Sequence, residues 1–353
     1  MAFNRTILRK LAFIFVLLIT LFLLHPKLTD EDQMEESLRI LIPSLFVSDS
    51  SLFHPLLRQG TFQPVDDPKL TDLSAYLVVN AKTGEVYSAF NATRRVSPAS
   101  LTKLMTAMVS LDVASPSSQL IASGRAATQE PTVLGIKVGE VFTLAELIPA
   151  MIATSANDAA TIIGEEVLHR YNGNEQIFVA LMNKKSDALG LGDTHFTNTQ
   201  GFDDPGQYSN AYDLTRLAHF AYGNYPLIRK SAGTIYATID KSPRHGFYHL
   251  PNWNALLGTY PGVDGLKIGY TEEAKHSTIV TATRDETQLI VVVIGAPSII
   301  DRDLAAATLL NLGFDREQKP GVYVSESLIK PRIDEWNALR QKILKELNDK
   351  NSE

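Results

Sequence analysis

The stretch Val96-Ser97-Pro98-Ala99-Ser100-Leu101-Thr102-Lys103-Leu104-Met105-Thr106-Ala107-Met108-Val109 decides how the rest of this chain is read. Pro98 suits the first turn of a helix, where a missing N–H removes no hydrogen bond. Leu101, Leu104, Met105 and Met108 follow at helical spacing, which predicts an amphipathic or buried helix. Ser100 and Lys103 then share a face near its N-terminus. A serine hydroxyl is a weak nucleophile until a base takes its proton. A lysine one turn away is such a base if burial or a neighbouring cation keeps it neutral. In this reading the Ser100 backbone N–H, at the helix start, also serves an oxyanion.

The pattern S-x-x-K is short, and a second copy occurs at Ser327-Leu328-Ile329-Lys330. Pro331 follows it directly, in a charged tail with no buried helix to desolvate the lysine. The Ser100 copy therefore depends on what accompanies it.

Bulk properties narrow the classes. The chain has 353 residues, 44% hydrophobic and 20% charged, enough for one large domain or two modest ones. A net charge of −6 argues against nucleic acid and against broad binding to anionic lipid. There are no cysteines, so disulfides, thiolate metal sites and a cysteine nucleophile are excluded. The eight histidines are scattered without metal-ligand spacing, and no metal or cofactor is expected. Arg5, Arg9 and Lys10 precede an apolar run over 11–24, broken only by Thr20. A basic segment before an apolar run of this length reads as an export signal. No small-x-small cleavage site follows, which favours an uncleaved anchor over a cleaved signal. The acidic run Asp30, Glu31, Asp32, Glu35, Glu36 places the body outside the cytoplasm, at the cell membrane.

The expected organisation is a signal anchor at 1–25, a linker at 26–72, a catalytic domain at 73–315 and a charged amphipathic helix at 316–353. Strand-like runs at 75–79 and 86–90 flank a hairpin turn. Helical stretches follow at 144–153, 156–171, 175–189 and 211–222. The period then changes to strands at 234–239, 265–270, 277–283 and 288–294, before a closing helix at 304–312. Hairpin, helical block, strands and a final helix predict an α+β fold. Its sheet is mostly antiparallel and flanked by helices, with an inserted helical lobe.

Two further elements bear on Ser100. Ser155-Ala156-Asn157 falls between two helices of the lobe, where a loop can aim a hydroxyl and a carboxamide into a cleft. Taken alone, it would be read as a helix cap. Val263-Asp264-Gly265-Leu266-Lys267-Ile268-Gly269-Tyr270 puts a lysine on a strand beside glycine, where a ligand backbone can lie close. Its charge would hold a substrate carboxylate and depress the pKa of Lys103; taken alone, it is a surface lysine on an edge strand.

Together these segments resemble the ordered set S-x-x-K, S-x-N and K-T/S-G. The flanks 196–201 with Asn198, 208–214 and 263–271 bring the match closer. Over roughly residues 73–315 the chain resembles the serine-type D-alanyl-D-alanine carboxypeptidases, the low-molecular-mass penicillin-binding proteins. The resemblance implies the DD-peptidase/serine β-lactamase fold. It implies that Ser100 is acylated, that Lys103 is its general base, and that Ser155 and Asn157 relay protons and position substrate. Lys267 would bind the terminal carboxylate beside Gly269, and the N–H groups of Ser100 and Tyr270 would form the oxyanion hole. The implied partners are peptidoglycan stem peptides and, as covalent inhibitors, β-lactams, with membrane attachment through the N-terminal segment. The implied reaction is hydrolysis of the bond between two D-alanines through an acyl-enzyme.

One departure stands out: the third motif is K-I-G, so Ile268 cannot donate the hydrogen bond a threonine would give the carboxylate. A literal K-T-G at Lys82-Thr83-Gly84 lies in the first hairpin turn, before Ser100, and is rejected. The alternatives are an endopeptidase cutting D-Ala cross-links, a catalytically weak wall-binding scaffold, and, ranked last, a penicillinase.

Overall fold

The computed structural model describes residues 64–350, with side chains through residue 342. The expected signal anchor and most of the expected linker lie outside the described residues. Among the described residues no helix is long and apolar enough to cross a membrane.

In chain order, β1 (Ala75–Asn80) and β2 (Val86–Phe90) form the expected hairpin. A 3₁₀ turn at Ala99–Thr102 leads into α1 (Lys103–Val113). Then come β3 (Gln119–Ile121), α2 (Gly124–Ala127), β4 (Val141–Thr143), α3 (Leu144–Ala153), α4 (Asn157–Glu166) and α5 (Glu175–Ala188). The lobe ends with α6 (Ala211–Asn224) and α7 (Pro226–Gly233). After the ribbon β5 (Tyr236–Ile239) and β6 (Tyr248–Pro251) come β7 (Val263–Thr271), β8 (Lys275–Arg284) and β9 (Thr287–Ala296). The last elements are α8 (Ile299–Arg316) and α9 (Glu326–Lys350).

One five-stranded antiparallel sheet, ordered β2-β1-β9-β8-β7, frames the molecule. Central β9, a run of Leu, Ile and Val, is buried along nearly its whole length, as a strand covered on both faces must be. Leu289, Val291 and Val293 join Tyr76, Val78, Val280 and the α8 residues Ala306, Leu309, Leu310 and Phe314 in one core. Each such aliphatic side chain contributes roughly 1.5–3 kcal/mol by leaving water. The alternate residues Ile290, Val292 and Ile294 are equally buried, and α6 packs against this strand as well. The α+β architecture is as expected, with the helical lobe between early and late strands.

The differences are local. The helix expected to carry Ser100 starts only at Lys103, after the 3₁₀ turn. The stretch 156–171 is α4 followed by a separate 3₁₀ turn at His169–Tyr171. The strand expected at 234–239 lies outside the main sheet, in a two-stranded ribbon with β6. The charged C-terminal helix, expected from 316, starts at Glu326, and it docks: Ile329, Ile333 and Trp336 are buried in the core shared with α8. Leu70, Leu73 and the flanking Val65 pack into the same core. The outer edge of β7 borders the site described next.

Candidate active site

Ser100 sits in the 3₁₀ turn, and Lys103 is the first residue of α1. Leu104, Met105, Ala107, Met108 and Val109 are fully buried, so Lys103 enters the interior on a helix whose first two turns are buried all round. Its Nζ lies 2.7 Å from Ser100 Oγ, 2.7 Å from Asn157 Oδ1 and 2.5 Å from the Gln200 carbonyl. Two of these partners only accept hydrogen bonds. A neutral amine therefore donates to Asn157 and Gln200 and keeps its lone pair for the Ser100 hydroxyl. Burial lowers the Lys103 pKa to about 7, against the opposing charge of Asp158. The positive end of α1 works in the same direction. The expectation that the Lys267 charge depresses this value is corrected: burial is what lowers it.

Lys267 is fully buried on β7, its Nζ 2.8 Å from Ser155 Oγ and 2.8 Å from the Ile268 carbonyl. Burial pushes its pKa well down, and the charges of Lys103 and Arg302 push further. Two Ser–Lys pairs thus stand in one cleft, Ser100 with Lys103 and Ser155 with Lys267. Ala99 and Ser155 both have positive φ, 49° and 63°, conformations that non-glycine residues adopt at a cost. The turn before Ser100 and the loop at Ser155 are thereby held in strained geometry.

Asn157 opens α4 and joins three parts of the site. Its Oδ1 accepts from Lys103, its Nδ2 donates to the Glu130 carbonyl at 2.8 Å, and its backbone N–H donates to the Thr132 carbonyl at 2.7 Å. The next residue, Asp158, is buried and accepts from the N–H groups of Leu134, Gly135 and Ile136. Burial pushes its pKa up to about 6 against those hydrogen bonds.

The flanking segments are scaffolding. Asn198 Oδ1 accepts from the N–H groups of Gly201 and Phe202, and Gln200 Nε2 donates to Thr161 Oγ1 at 2.7 Å, which aims the Gln200 carbonyl at Lys103. Gly201 has φ +89°, and a Cβ there would meet the Ala99 carbonyl at 2.0 Å, so only glycine fits. Asn210 caps α6 through the Asp213 N–H. Asp264 accepts from Tyr222, Thr281 and Thr283, tying β7 to β8 and α6. A Cβ at Gly269 would stand 3.1 Å from the Ser100 nitrogen, so the third motif passes close over the Ser100 turn.

Ser100, Ser155, Asn157, Ile268 and Tyr270 line a cleft of about 280 Å³. Lys103, Lys267 and Gly269 lie immediately beneath or beside them, so the seven residues given roles from the sequence converge, together with Ile268. Sequence reasoning missed Gln200, whose contribution is a backbone oxygen, and Asp158 and Gly201, whose roles depend on close approach. Asp203, also on the cleft wall, accepts from Ser97 Oγ at 2.6 Å. The hairpin lysine Lys82 is exposed, paired with Glu286, and takes no part. Chemically, the arrangement offers a hydroxyl beside an amine whose pKa burial brings to about 7, a second Ser–Lys pair, and a strand edge over Ser100.

Comparison with known proteins supplies the family and the fold. The family model described as D-alanyl-D-alanine carboxypeptidase, peptidase S11, matches residues 63–298. The chain is 32% identical over 252 residues to D-alanyl-D-alanine carboxypeptidase DacF of Bacillus subtilis, covering 70% of this chain and 63% of that protein. It thus spans less than two thirds of that relative's length. Among solved structures, the Streptomyces K15 DD-transpeptidase superposes with a TM-score of 0.66 at 27% identity, covering 71% of this chain and all of that one. Penicillin-binding protein D2 of Listeria monocytogenes, solved with cefotaxime bound, gives 0.62 at 28% identity, covering 71% of this chain and all of that one. The chain belongs to the peptidase S11 family, that of the D-alanyl-D-alanine carboxypeptidases.

Proposed function

We propose that the protein is a serine-type D-alanyl-D-alanine carboxypeptidase that trims peptidoglycan stem peptides. The observation that carries this reading is the fully buried Lys103, its Nζ 2.7 Å from Ser100 Oγ. Ser100 Oγ attacks the carbonyl of the penultimate D-alanine and gives its proton to Lys103. The oxygen that becomes negative is held by the N–H groups of Ser100 and Tyr270. Collapse breaks the peptide bond, and the proton that Lys103 took from Ser100 passes by way of Ser155 to the leaving amine, which returns Lys103 to its neutral form. Free D-alanine departs and an ester remains on Ser100. Lys103 then takes a proton from water, the hydroxide attacks the ester, and Ser100 is regenerated with its proton restored. The name of the matching family and the Bacillus relative support the substrate class. The ligand of the Listeria neighbour supports β-lactams as acylating inhibitors. The basic and apolar run over residues 5–24 supports action outside the cytoplasm, with attachment through that segment.

Ile268 favours a second reading within the same chemistry. It lines the cleft where a hydroxyl would hold a free carboxylate, so an extended cross-linked peptide is better tolerated there than a chain end. Incubating the full chain and its Ser100→Ala variant with muropeptides, both pentapeptide monomers and cross-linked dimers, tests both. Ser100-dependent loss of one D-alanine supports the carboxypeptidase, and split dimers support the endopeptidase. No product from a folded sample would remove both, leaving a scaffold.

A further inference from the structure

A second cavity, of about 380 Å³, opens beside the active cleft, and Pro131 and Thr132 line both. Its walls include Leu134, Phe247, Tyr248, Trp253 and Trp336. The last two are the only tryptophans of the chain, packed edge to face at 5.5 Å. The wall between the cavities is pinned twice: Asn157 holds the carbonyls of Glu130 and Thr132, and the Asp158 carboxylate holds the N–H groups of residues 134–136. The cavity is therefore preformed rather than a gap under a loose loop.

Its polar features select a charge. Lys137, Lys241 and Arg340 are exposed among the lining residues. The one carboxylate there, Glu140, is already committed, accepting from the N–H groups of Lys137 and Gly246 and from the Tyr248 hydroxyl. The indole N–H of Trp253 is buried and, among the described residues, has no acceptor. An aromatic floor and a cationic rim fit a ligand with an apolar body and an anionic group.

We propose that this cavity binds a carboxylate-bearing, acyl-side segment of the same substrate molecule whose scissile bond lies at Ser100. The inference rests on the proposed function for the identity of the substrate. Adjacency to the cleft, with Pro131 and Thr132 lining both, favours the substrate over a separate ligand. The cavity then distinguishes long substrates from short ones, and α9, which supplies Trp336 and Arg340, becomes part of the specificity apparatus.

Because both tryptophans line the cavity, intrinsic fluorescence reports on it directly. The full-length Ser100→Ala chain is titrated with N-acetylmuramyl pentapeptide, with N-acetyl-D-Ala-D-Ala, and with phosphatidylglycerol vesicles. A saturable change with the pentapeptide, absent with the dipeptide and the vesicles, is expected. Combining Lys241→Glu with Arg340→Glu, both exposed positions, weakens the pentapeptide response about tenfold. In the Ser100 enzyme the same pair raises KM for the pentapeptide and leaves hydrolysis of the dipeptide unchanged. No response to the pentapeptide, an equal response to the dipeptide, or a response to vesicles alone would overturn the proposal. D-alanine release without the fluorescence response removes this inference alone. The response without any D-alanine release removes the catalytic reading and leaves the binding site.

Discussion

Ser100-Leu101-Thr102-Lys103 and Ser327-Leu328-Ile329-Lys330 share one pattern in opposite surroundings. Lys103 is fully buried and reaches Ser100, Asn157 and the Gln200 carbonyl. The Lys330 side chain is 56% exposed and pairs with Asp334 at 3.2 Å, while Ser327 bonds Ser325. Water solvates an exposed ammonium and keeps its proton on. Burial removes that solvation and releases a lone pair. The difference between the proposed catalytic pair and a surface pair thus lies in what packs around four residues, not in the four residues.

Substitutions at matched positions break or sharpen this contrast. Ser100→Ala should abolish the covalent benzylpenicillin adduct seen by intact mass, whereas Ser327→Ala should leave it complete. An adduct surviving on Ser100→Ala would put the nucleophile elsewhere. Lys103→Met should slow acylation by about 10²–10⁴, the usual worth of a positioned base. Lys330→Met should leave the rate within about twofold and cost at most about 0.5 kcal/mol in urea unfolding. Ile268→Thr restores a hydrogen bond to a charged group, about 1.5–3 kcal/mol, and should lower KM for a substrate with a free terminal carboxylate about tenfold to a hundredfold. An unchanged KM would mean that Lys267 alone supplies the carboxylate site. Among the active-site substitutions, the smallest effect is expected from Asp158→Asn. Its charge raises the Lys103 pKa, so its removal should move the midpoint of the pH–acylation curve below the wild-type value.

Much of this was legible in the sequence because the signals were local. The α3 boundaries follow from Thr143 and Glu146, which form a capping box ahead of an apolar run. Strands β7 to β9 announced themselves through β-branched runs, and the three motifs through their order. What escaped depended on partners distant in the chain. The three-residue strands β3 and β4 are too short for periodicity to register. The 3₁₀ turn at Ser100 follows from the positive φ of Ala99, packed against Gly201 about a hundred residues later. Gln200 contributes a carbonyl that any residue could supply, and no side-chain pattern marks it. The docking of α9 rests on Ile329, Ile333 and Trp336, a helical stripe that can be seen in the sequence but whose partner surface cannot.

The sign of the pH dependence follows from the same burial. Below about pH 7 Lys103 carries its proton and has no lone pair for Ser100; above it the amine is free. From about 7 toward the ordinary value of 10.5 only the unfolded chain binds that proton, so this lysine's contribution to stability rises with pH in that window. The most direct test is the rate of Ser100 acylation by benzylpenicillin between pH 5 and 11, followed by intact mass. The account predicts a rise with a midpoint near 7 and a plateau above it, lost in Lys103→Met. A rate that stays low through neutrality and climbs only near pH 10 would show an ordinary, solvated lysine, and would contradict the claim that burial makes Lys103 the base.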